Sequence, residues 1–375
     1  MGITGKLYAW IKSFLSNRTQ TVVIDGCHSY STFVLSGVPQ GTVLGPILFL
    51  IYLNDINASI NQGSILRSFA DDSRLFRSIS TSQDAKRLQD DLQNVISWAN
   101  ANNMVLHQDK FEVLQYSSSF NNYSKSFFEV LPFNEYSRYY SSSEGCLLNV
   151  SEQVRDLGIH MSSQLHFSSH INIIADKASS KAAWTLSIFR CRNKDVMLTL
   201  FKTMIRPLLE YCCPLWHSNK LSDIQTLENV QRNFTSRIRG LSDMSYWGRL
   251  KFLNMMSLQR RRERYSIIYF WKILHCQVPN DINVQWNMNL RLGFKAILPA
   301  ISHNRKILSI VESSFSINAA RLWNVLPKEI NCDGAFNSFK TKLDAFLLSF
   351  PDEPPVRGYS TRHHNSLLHW TNHIL

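Results

Sequence analysis

The chain has 375 residues, of which 44% are hydrophobic and 18% are charged, so it can form two or three folded domains and is not wholly disordered. Its formal net charge is +12, and residues 181–272 hold 17 basic and 6 acidic residues, a net of +11. This basic segment suits a polyanion, either a nucleic acid or a membrane surface, and the alternative is a solvated charged face.

The N-terminal part of the chain is predicted to alternate helices and hairpins. The spacing of apolar residues predicts a helix over residues 3–16. The turn dipeptide Asp25-Gly26 then predicts a hairpin between residues 18 and 35. A loop at residues 36–41 follows, and an apolar helix is predicted at residues 43–56.

A second hairpin is predicted at residues 65–79, with Asp71-Asp72 at its tip. Two adjacent carboxylates repel each other, so they favour a cation or water. A rigid turn of this kind suits Mg²⁺, which prefers carboxylate oxygens, and the alternative is an inert solvated turn. An amphipathic helix is predicted next at residues 84–101, capped by Thr81 or Ser82.

The second half of the chain is predicted to be mainly helical. Residues 117–145 are rich in Ser, Tyr and Asn and indicate a loop or insertion. Strands at 147–150 and 153–159 are expected to form a small hairpin. The pattern of residues 278–335 is weak. Helices are predicted at 169–191, 194–211, 222–238, 257–275 and 338–348.

Several motifs follow one another in a fixed order. The loop sequence Ser36-Gly37-Val38-Pro39-Gln40-Gly41 comes about 28 residues before Phe69-Ala70-Asp71-Asp72. Further motifs are Val154 to Ile159, Arg206 to Tyr211 with Pro214-Leu215-Trp216, and Arg321 to Pro327. In this order and spacing they resemble the reverse transcriptases of non-LTR retrotransposons of the jockey and LINE type, over most of residues 2–350.

The resemblance implies an α+β fold with the architecture of a right-hand polymerase. Residues 1–160 would form a partial palm, an antiparallel sheet with helices, and residues 161–277 a helical, basic, thumb-like region. A C-terminal extension over residues 278–350 and a polar tail over residues 351–375 would follow.

The resemblance also implies the roles of individual residues. Asp71 is the expected metal-binding aspartate, Asp72 its companion, and Lys110 the residue that protonates the pyrophosphate leaving group; the metal would be Mg²⁺ or Mn²⁺. Leu157 and Gly158 would grip the primer. The expected nucleotide and template contacts are Phe69, Gly37, Pro39, Gln40 and Gly41. The expected contacts to nucleic-acid phosphates are Arg232, Arg237, Arg239, Arg260, Arg261, Arg262 and Arg264.

The implied substrates are an RNA template, a DNA primer or RNA–DNA hybrid, and dNTPs. The family's first catalytic motif is expected just before residue 1, and His107 stands where the family has Asn. Asp25 and Asp55 are the nearest carboxylates in sequence that could complete the metal site. We therefore expect an N-terminally truncated polymerase that is inactive as this fragment. The alternatives are a non-catalytic remnant that binds RNA or DNA, and a fragment whose unpaired strand edges prevent folding.

Compartment is predicted from cysteine use and hydropathy. The seven cysteines include no Cys-x-x-Cys pair, and the N-terminus shows no signal peptide. The most apolar run, residues 43–53, is too short to cross a bilayer. We predict a reduced intracellular protein with no membrane partner, and the resemblance implies residence in the nucleus.

Overall fold

The computed structural model describes residues 2–116, 140–141, 147–280, 282, 284–289, 291–298, 311, 314–357 and 365–371. The predicted insertion at 117–145 therefore lies almost wholly outside the described residues. The chain divides into two compact units. The N-terminal unit comprises the described residues up to Val150 except 114–116, and the C-terminal unit comprises those three and Ser151 onward.

The N-terminal unit combines helices with short paired strands. Its helices are Gly5–Leu15, Leu44–Leu53 and Ser82–Ala101, with 3₁₀ turns at Ile56–Ser59 and Gln108–Lys110. Its strands are Thr19–Gln20, Val23–Ile24, Cys27–His28, Thr32–Phe33, Ser64–Phe69 and Asp72–Arg77, and Glu112–Leu114 and Asn149–Ser151 lie at the boundary between the units.

The first predicted hairpin is confirmed. Thr19–Gln20 pairs with Thr32–Phe33, and nearer the turn Val23–Ile24 pairs with Cys27–His28, all antiparallel. Asp25 and Gly26 both have positive φ angles, 50° and 80°. Asp and Gly tolerate this conformation, which matches the twist of a two-residue hairpin, so the dipeptide sets the register locally.

The C-terminal unit is mainly helical. Its strands are Gln153–Asp156, Ile159–Ser162, Gln285–Asn289 and Gly293–Ile297. Its helices are Ser168–Ile188, Lys194–Leu200, Arg206–Glu210, Leu221–Thr235, Tyr246–Leu253, Leu258–Leu274, Phe315–Asn324, Lys328–Asn331, Phe336–Leu348 and Leu367–Thr371. The five predicted helices are confirmed, the second with a π-helical turn at Phe201–Ile205. Pro207 follows that turn, where its missing N–H disturbs the regular ladder.

The predicted pairing of residues 147–150 with 153–159 is wrong. Gln153–Asp156 pairs instead with Ile159–Ser162, and Asp156 lies opposite Ile159. The turn between them consists of Leu157 and Gly158, whose φ angles are 43° and 86°. Glycine adopts a positive φ at little cost, so the chain reverses here rather than continuing as one strand.

Two hydrophobic cores stabilise the C-terminal unit. The first contains Trp216 and the second contains Trp271 and Trp323, and all three indoles are fully buried. Helix Leu258–Leu274 contributes Leu258 to the first core and Trp271 to the second. Both predicted regions, 161–277 and 278–350, therefore belong to one unit that shares this helix.

The described parts of the predicted polar tail, which begins at residue 351, pack against the rest of the C-terminal unit. Val356 and Leu367 are buried. The buried Arg260 donates to the carbonyls of Pro351 at 3.0 Å and Asn365 at 3.1 Å, and Asp352 accepts from the Ser257 hydroxyl at 2.7 Å. The segment therefore satisfies charged and polar groups of the core helix, which hydropathy along the chain does not reveal.

The described strands pair two by two, and the chain is a mixture of helices and small sheets. This agrees with the expected α+β class, whereas the assignment to palm and thumb stays a prediction. Among the described residues, no helix combines the length and the apolar character needed to cross a bilayer.

Candidate active site

The two predicted metal-binding aspartates lie at the tip of an exposed hairpin, here called the aspartate hairpin, Ser64–Arg77. Its strands pair antiparallel from Ser64 opposite Arg77 to Phe69 opposite Asp72. Ala70 and Asp71 form the turn, so Asp72 begins the second strand rather than lying in the turn. Phe69, Asp71 and Asp72 are all exposed, so these side chains are available to a ligand.

The turn of the aspartate hairpin holds Ala70 at a φ of 52°. When only the first of the two turn residues has a positive φ, that residue is usually glycine, because most side chains are strained in this conformation. Strain of this kind persists only where the surrounding structure enforces it, and it often marks functional sites. The turn therefore fixes the backbone beside Asp71.

A buried carboxylate anchors the first strand of the aspartate hairpin. Asp91, on helix Ser82–Ala101, is fully buried. It accepts from the backbone N–H and the side-chain amide of Asn61, both at 2.7 Å, and from the Ser64 hydroxyl at 2.5 Å. Since a buried carboxylate is costly to leave without hydrogen-bond donors, Asp91 ties the start of the hairpin to the helix.

A second carboxylate of the same helix holds the other strand. Arg77 donates to the Gln62 carbonyl at 3.0 Å and the Ser64 hydroxyl at 3.1 Å, and pairs with Asp84 at 3.4 Å. Asp84 also closes the helix cap with Thr81, whose hydroxyl hydrogen bond lowers the pKa of this carboxyl. Sequence analysis did not identify Asp84 and Asp91 as supports of the hairpin, although they lie two helical turns apart on the predicted helix.

The loop Ser36–Gly41, here called the glycine loop, is folded against the start of helix Leu44–Leu53. Gly37 and Gly41 have φ angles of 77° and 76° and are exposed. The Thr42 hydroxyl donates to the Pro39 carbonyl at 2.8 Å. A Cβ at Gly45 would lie 2.7 Å from that carbonyl oxygen, so this position requires glycine. The loop thus presents bare backbone to solvent on a fixed support.

The structure brings the predicted primer-grip turn to a second motif of the sequence. The Tyr211 hydroxyl donates to the Leu157 carbonyl at 3.0 Å, and its ring lies 3.6 Å from the position of a Cβ at Gly158. Tyr211 is held in turn, because the Trp216 indole donates to its carbonyl at 2.8 Å. Tyr211 therefore supports the turn, a role that sequence analysis did not assign.

Comparison with known proteins identifies the N-terminal part of the chain. Residues 1–161 match the family described as reverse transcriptase (RNA-dependent DNA polymerase). These 161 residues belong to the reverse transcriptase family. The match includes the aspartate hairpin, the glycine loop and the Leu157–Gly158 turn.

Two of the similar proteins are described as polymerases of mobile elements. The chain is 25% identical over 240 residues to a probable RNA-directed DNA polymerase from transposon X-element of Drosophila melanogaster. It is 27% identical over 245 residues to the RNA-directed DNA polymerase from mobile element jockey of the same organism. These alignments cover 62% and 63% of this chain and 25% of each relative. The chain therefore spans about a quarter of the length of these relatives.

Lys110 and the alternative carboxylates lie on other elements of the reverse transcriptase segment. Lys110 ends the 3₁₀ turn Gln108–Lys110 and is exposed. Asp25 lies in the turn of the first hairpin, and Asp55 follows helix Leu44–Leu53. Within the described residues, no three His, Cys, Asp or Glu side chains converge as a metal site. Asp71 and Asp72 offer the oxygen donors that suit Mg²⁺, as part of a ligand set.

The predicted phosphate contacts are wrong for Arg260 and Arg262. Their side chains are 0% and 1% exposed, because helix Leu258–Leu274 runs between the two cores. Arg261 is in a bidentate ion pair with Glu210, and Arg264 in one with Asp344. The guanidinium groups of Arg261 and Arg264 are therefore paired with carboxylates of the protein itself.

The remaining predicted arginines lie nearer the surface. Arg237 and Arg239, beyond the end of helix Leu221–Thr235, are exposed. Arg232 is half-buried and donates to the carbonyl of Arg357 at 3.0 Å. Of the seven arginines, Arg237 and Arg239 are therefore the best placed to meet a phosphate.

Proposed function

We propose that the chain is part of an RNA-directed DNA polymerase of a non-LTR retrotransposon, with the aspartate hairpin at its centre of nucleotidyl transfer. The observation that carries this proposal is the exposed Asp71–Asp72 pair on an anchored hairpin within a segment of the reverse transcriptase family. The substrates would be an RNA template, a DNA primer and dNTPs.

Asp71 and Asp72 would hold Mg²⁺ or Mn²⁺ through their carboxylate oxygens. When bound, such an ion supplies positive charge to phosphate oxygens. In the reaction the primer 3′-hydroxyl would lose its proton to water, its oxygen would bond to the α-phosphorus of the dNTP, and the bond between that phosphorus and the pyrophosphate oxygen would break. Lys110 would donate a proton to the pyrophosphate as it leaves.

The other site residues would orient the substrates. The exposed backbone of Gly37 and Gly41 admits close approach of a base pair, since no side chain intervenes. The Phe69 ring, which is 65% exposed, would pack beside the incoming nucleotide. The Leu157–Gly158 turn would hold the primer end, with Tyr211 as its support.

Primer extension tests this proposal. The purified chain is given an RNA template, a DNA primer, dNTPs and Mg²⁺, alongside Asp71→Asn. Asp90→Asn is the matched control, because Asp90 is an exposed carboxylate of the same unit. Sequence analysis expects this fragment to be inactive, so extension by the wild-type chain and the control, with a loss of at least about a hundredfold in Asp71→Asn, would show that the chain completes its own metal site and that Asp71 belongs to it. Equal extension by Asp71→Asn contradicts the role of this aspartate.

A non-catalytic nucleic-acid-binding protein is the second candidate function. It is favoured by Arg237 and Arg239, which are exposed beyond the end of helix Leu221–Thr235. Filter binding of RNA with and without Mg²⁺ distinguishes the two candidates. Binding that is independent of Mg²⁺, with no extension by the folded wild-type chain, supports the second candidate.

A further inference from the structure

Four segments that carry basic residues meet at one end of the helical part of the C-terminal unit. The Arg239 backbone N–H donates to the Arg192 carbonyl at 3.0 Å, which joins the loop after helix Leu221–Thr235 to the loop after helix Ser168–Ile188. Lys194 begins the next helix, and its Nζ lies 5.0 Å from the ring centroid of Phe252. Phe252 is near the end of helix Tyr246–Leu253, so this helix is the fourth segment.

We call the exposed basic residues of this region the basic rim. They are Arg190, Lys194, Arg237, Arg239 and Lys251. Within the described part of the chain, none of the five is in an ion pair with a carboxylate. Asp195 and Asp243 are the exposed acidic residues of the same segments. Five positive charges against two negative charges leave an excess that a polyanion would neutralise.

Arg192 organises the rim rather than adding a free charge to it. Its guanidinium donates to the Leu186 carbonyl at 2.8 Å and also to the Phe189 carbonyl. Both carbonyls lie at the C-terminal end of helix Ser168–Ile188, where a cation also suits the helix dipole. The loop that carries Arg190 is thereby held in place.

Apolar side chains lie beside these charges. Phe252 is 54% exposed, and Ile188, at the end of its helix, is 53% exposed. A nucleic-acid duplex presents phosphates and hides its base faces, so it would leave these apolar groups in water. A single strand presents both phosphates and base faces, and bases stack on aromatic rings without sequence preference.

We propose that the basic rim and Phe252 form a binding surface for a single-stranded nucleic acid. Arg237, Arg239 and Lys194 would contact phosphates, and Phe252 would stack on a base. This inference rests on the proposed function in that the chain must engage nucleic acid. It goes further by assigning a surface that lies outside residues 1–161.

Fluorescence anisotropy with labelled oligonucleotides tests the surface in the full chain. The probes are oligo-uridine RNA, oligo-thymidine DNA and a DNA duplex of equal length, each titrated at several salt concentrations. The variants are the double change Arg237→Ala with Arg239→Ala, the single changes Lys194→Ala and Phe252→Ala, and Lys328→Ala as the control. Lys328 is an exposed lysine in the same unit but on helix Lys328–Asn331.

We expect the wild-type chain to bind a single strand more tightly than the duplex, and Lys328→Ala to bind as wild type. The double arginine variant should lose about tenfold or more in affinity. The slope of its log affinity against log salt concentration should become less steep, by the amount expected for about two phosphate contacts. Lys194→Ala should reduce the same slope by the amount expected for about one phosphate contact. Phe252→Ala should weaken binding roughly tenfold without changing the salt slope. The RNA and DNA arms show which strand is preferred.

Four results would overturn the inference. Wild-type affinity in the double arginine and Phe252 variants would place binding elsewhere, while leaving the proposed function intact. Tighter binding of the duplex would reject the single-strand assignment. Stronger binding to phosphatidylserine vesicles than to oligonucleotides would assign the surface to membranes. A folded wild-type chain that binds no nucleic acid would refute both this surface and the nucleic-acid binding on which it rests.

Discussion

The two units of the molecule are stabilised in different ways. In the described part of the N-terminal unit, the hydrophobic cluster consists of Ile56, Leu66 and Val95, with Trp98 and others partly buried around it, and a few more apolar residues, such as Ile96 and Ala99, are buried outside it. In the C-terminal unit, two large cores enclose indoles, phenyl rings and charged groups. Asp71 and Asp72, the aspartates predicted to bind metal, lie in the unit with the smaller hydrophobic core.

This difference shows which interactions hold each candidate site in place. The aspartate hairpin depends on directional polar contacts at its base, because Asp91 and Asp84 bind both of its strands to one helix. The Leu157–Gly158 turn depends on Tyr211, which is held by a buried indole of the first core. Variants that remove one kind of support should therefore affect the two units differently.

Removal of a tryptophan should separate the units most clearly. Trp271 is 1% exposed, packs 5.4 Å from the Phe339 ring centroid and donates to the Asp333 carbonyl at 2.9 Å. Trp271→Ala should lower the free energy of unfolding by about 3–5 kcal/mol. Trp10, in helix Gly5–Leu15, is 52% exposed, and Trp10→Ala should cost about 0.5 kcal/mol or less. Urea unfolding followed by circular dichroism measures both, and similar costs would contradict the comparison.

Loss of Asp91 should loosen the aspartate hairpin. Asp91→Ala removes three hydrogen bonds and leaves the buried Ser64 hydroxyl without its acceptor, which should cost about 1–3 kcal/mol of local stability. Hydrogen exchange of the backbone amides over residues 64–77 should accelerate correspondingly. Asp90→Ala, at the exposed neighbouring position, is the control and should exchange as wild type. Equal exchange in the two variants would show that Asp91 does not anchor the hairpin.

The buried titratable groups of the C-terminal unit should make its stability depend on pH. Burial lowers the pKa of His170 and of His217 to about 4. The folded state therefore binds fewer protons than the unfolded state between pH 4 and 6.5, and the contribution of these histidines to stability rises with pH in that range. The Nδ1 atom of His170 accepts a hydrogen bond from the backbone N–H of His160, and protonation of Nδ1 would break this hydrogen bond.

Glu228 acts in the opposite direction. Burial raises the pKa of Glu228 to about 7, so the folded state binds more protons here and this contribution falls as pH rises from 4.5 to 7. The carboxylate accepts from the Tyr246 hydroxyl at 2.6 Å and the Gln259 N–H at 2.7 Å. In Glu228→Gln the free energy of unfolding should rise more steeply over this range than in wild type. Urea unfolding at a series of pH values measures both slopes, and unchanged slopes would contradict this assignment.

The smallest expected effect concerns the turn of the aspartate hairpin. Ala70 has a positive φ, so Ala70→Val, with a β-branched side chain, should destabilise the hairpin by about 1 kcal/mol. Ala70→Gly is the matched variant and should leave the hairpin as stable as wild type or slightly more so. Hydrogen exchange over residues 64–77 distinguishes them, and faster exchange in the glycine variant would rule out strain at this turn.

The sequence by itself determined features that depend on neighbouring residues. Asp25-Gly26 and the Asp71-Asp72 region specified their hairpins, and Thr81 specified a helix start, because turn and cap preferences act over a few residues. Helical periodicity located the main helices of the C-terminal unit. The order of the polymerase motifs likewise identified the family of residues 1–161.

Only the tertiary structure decided which charged residues are free. The family resemblance implied phosphate contacts for the arginines of residues 260–264. However, Arg260 and Arg262 are buried, and Arg261 and Arg264 are paired with carboxylates from elsewhere in the chain. The packing of Tyr211 on Leu157 and of Asp91 on Ser64 likewise joins residues that lie 54 and 27 positions apart. Burial and long-range hydrogen bonds depend on which elements meet in space, and local sequence patterns carry no record of those meetings.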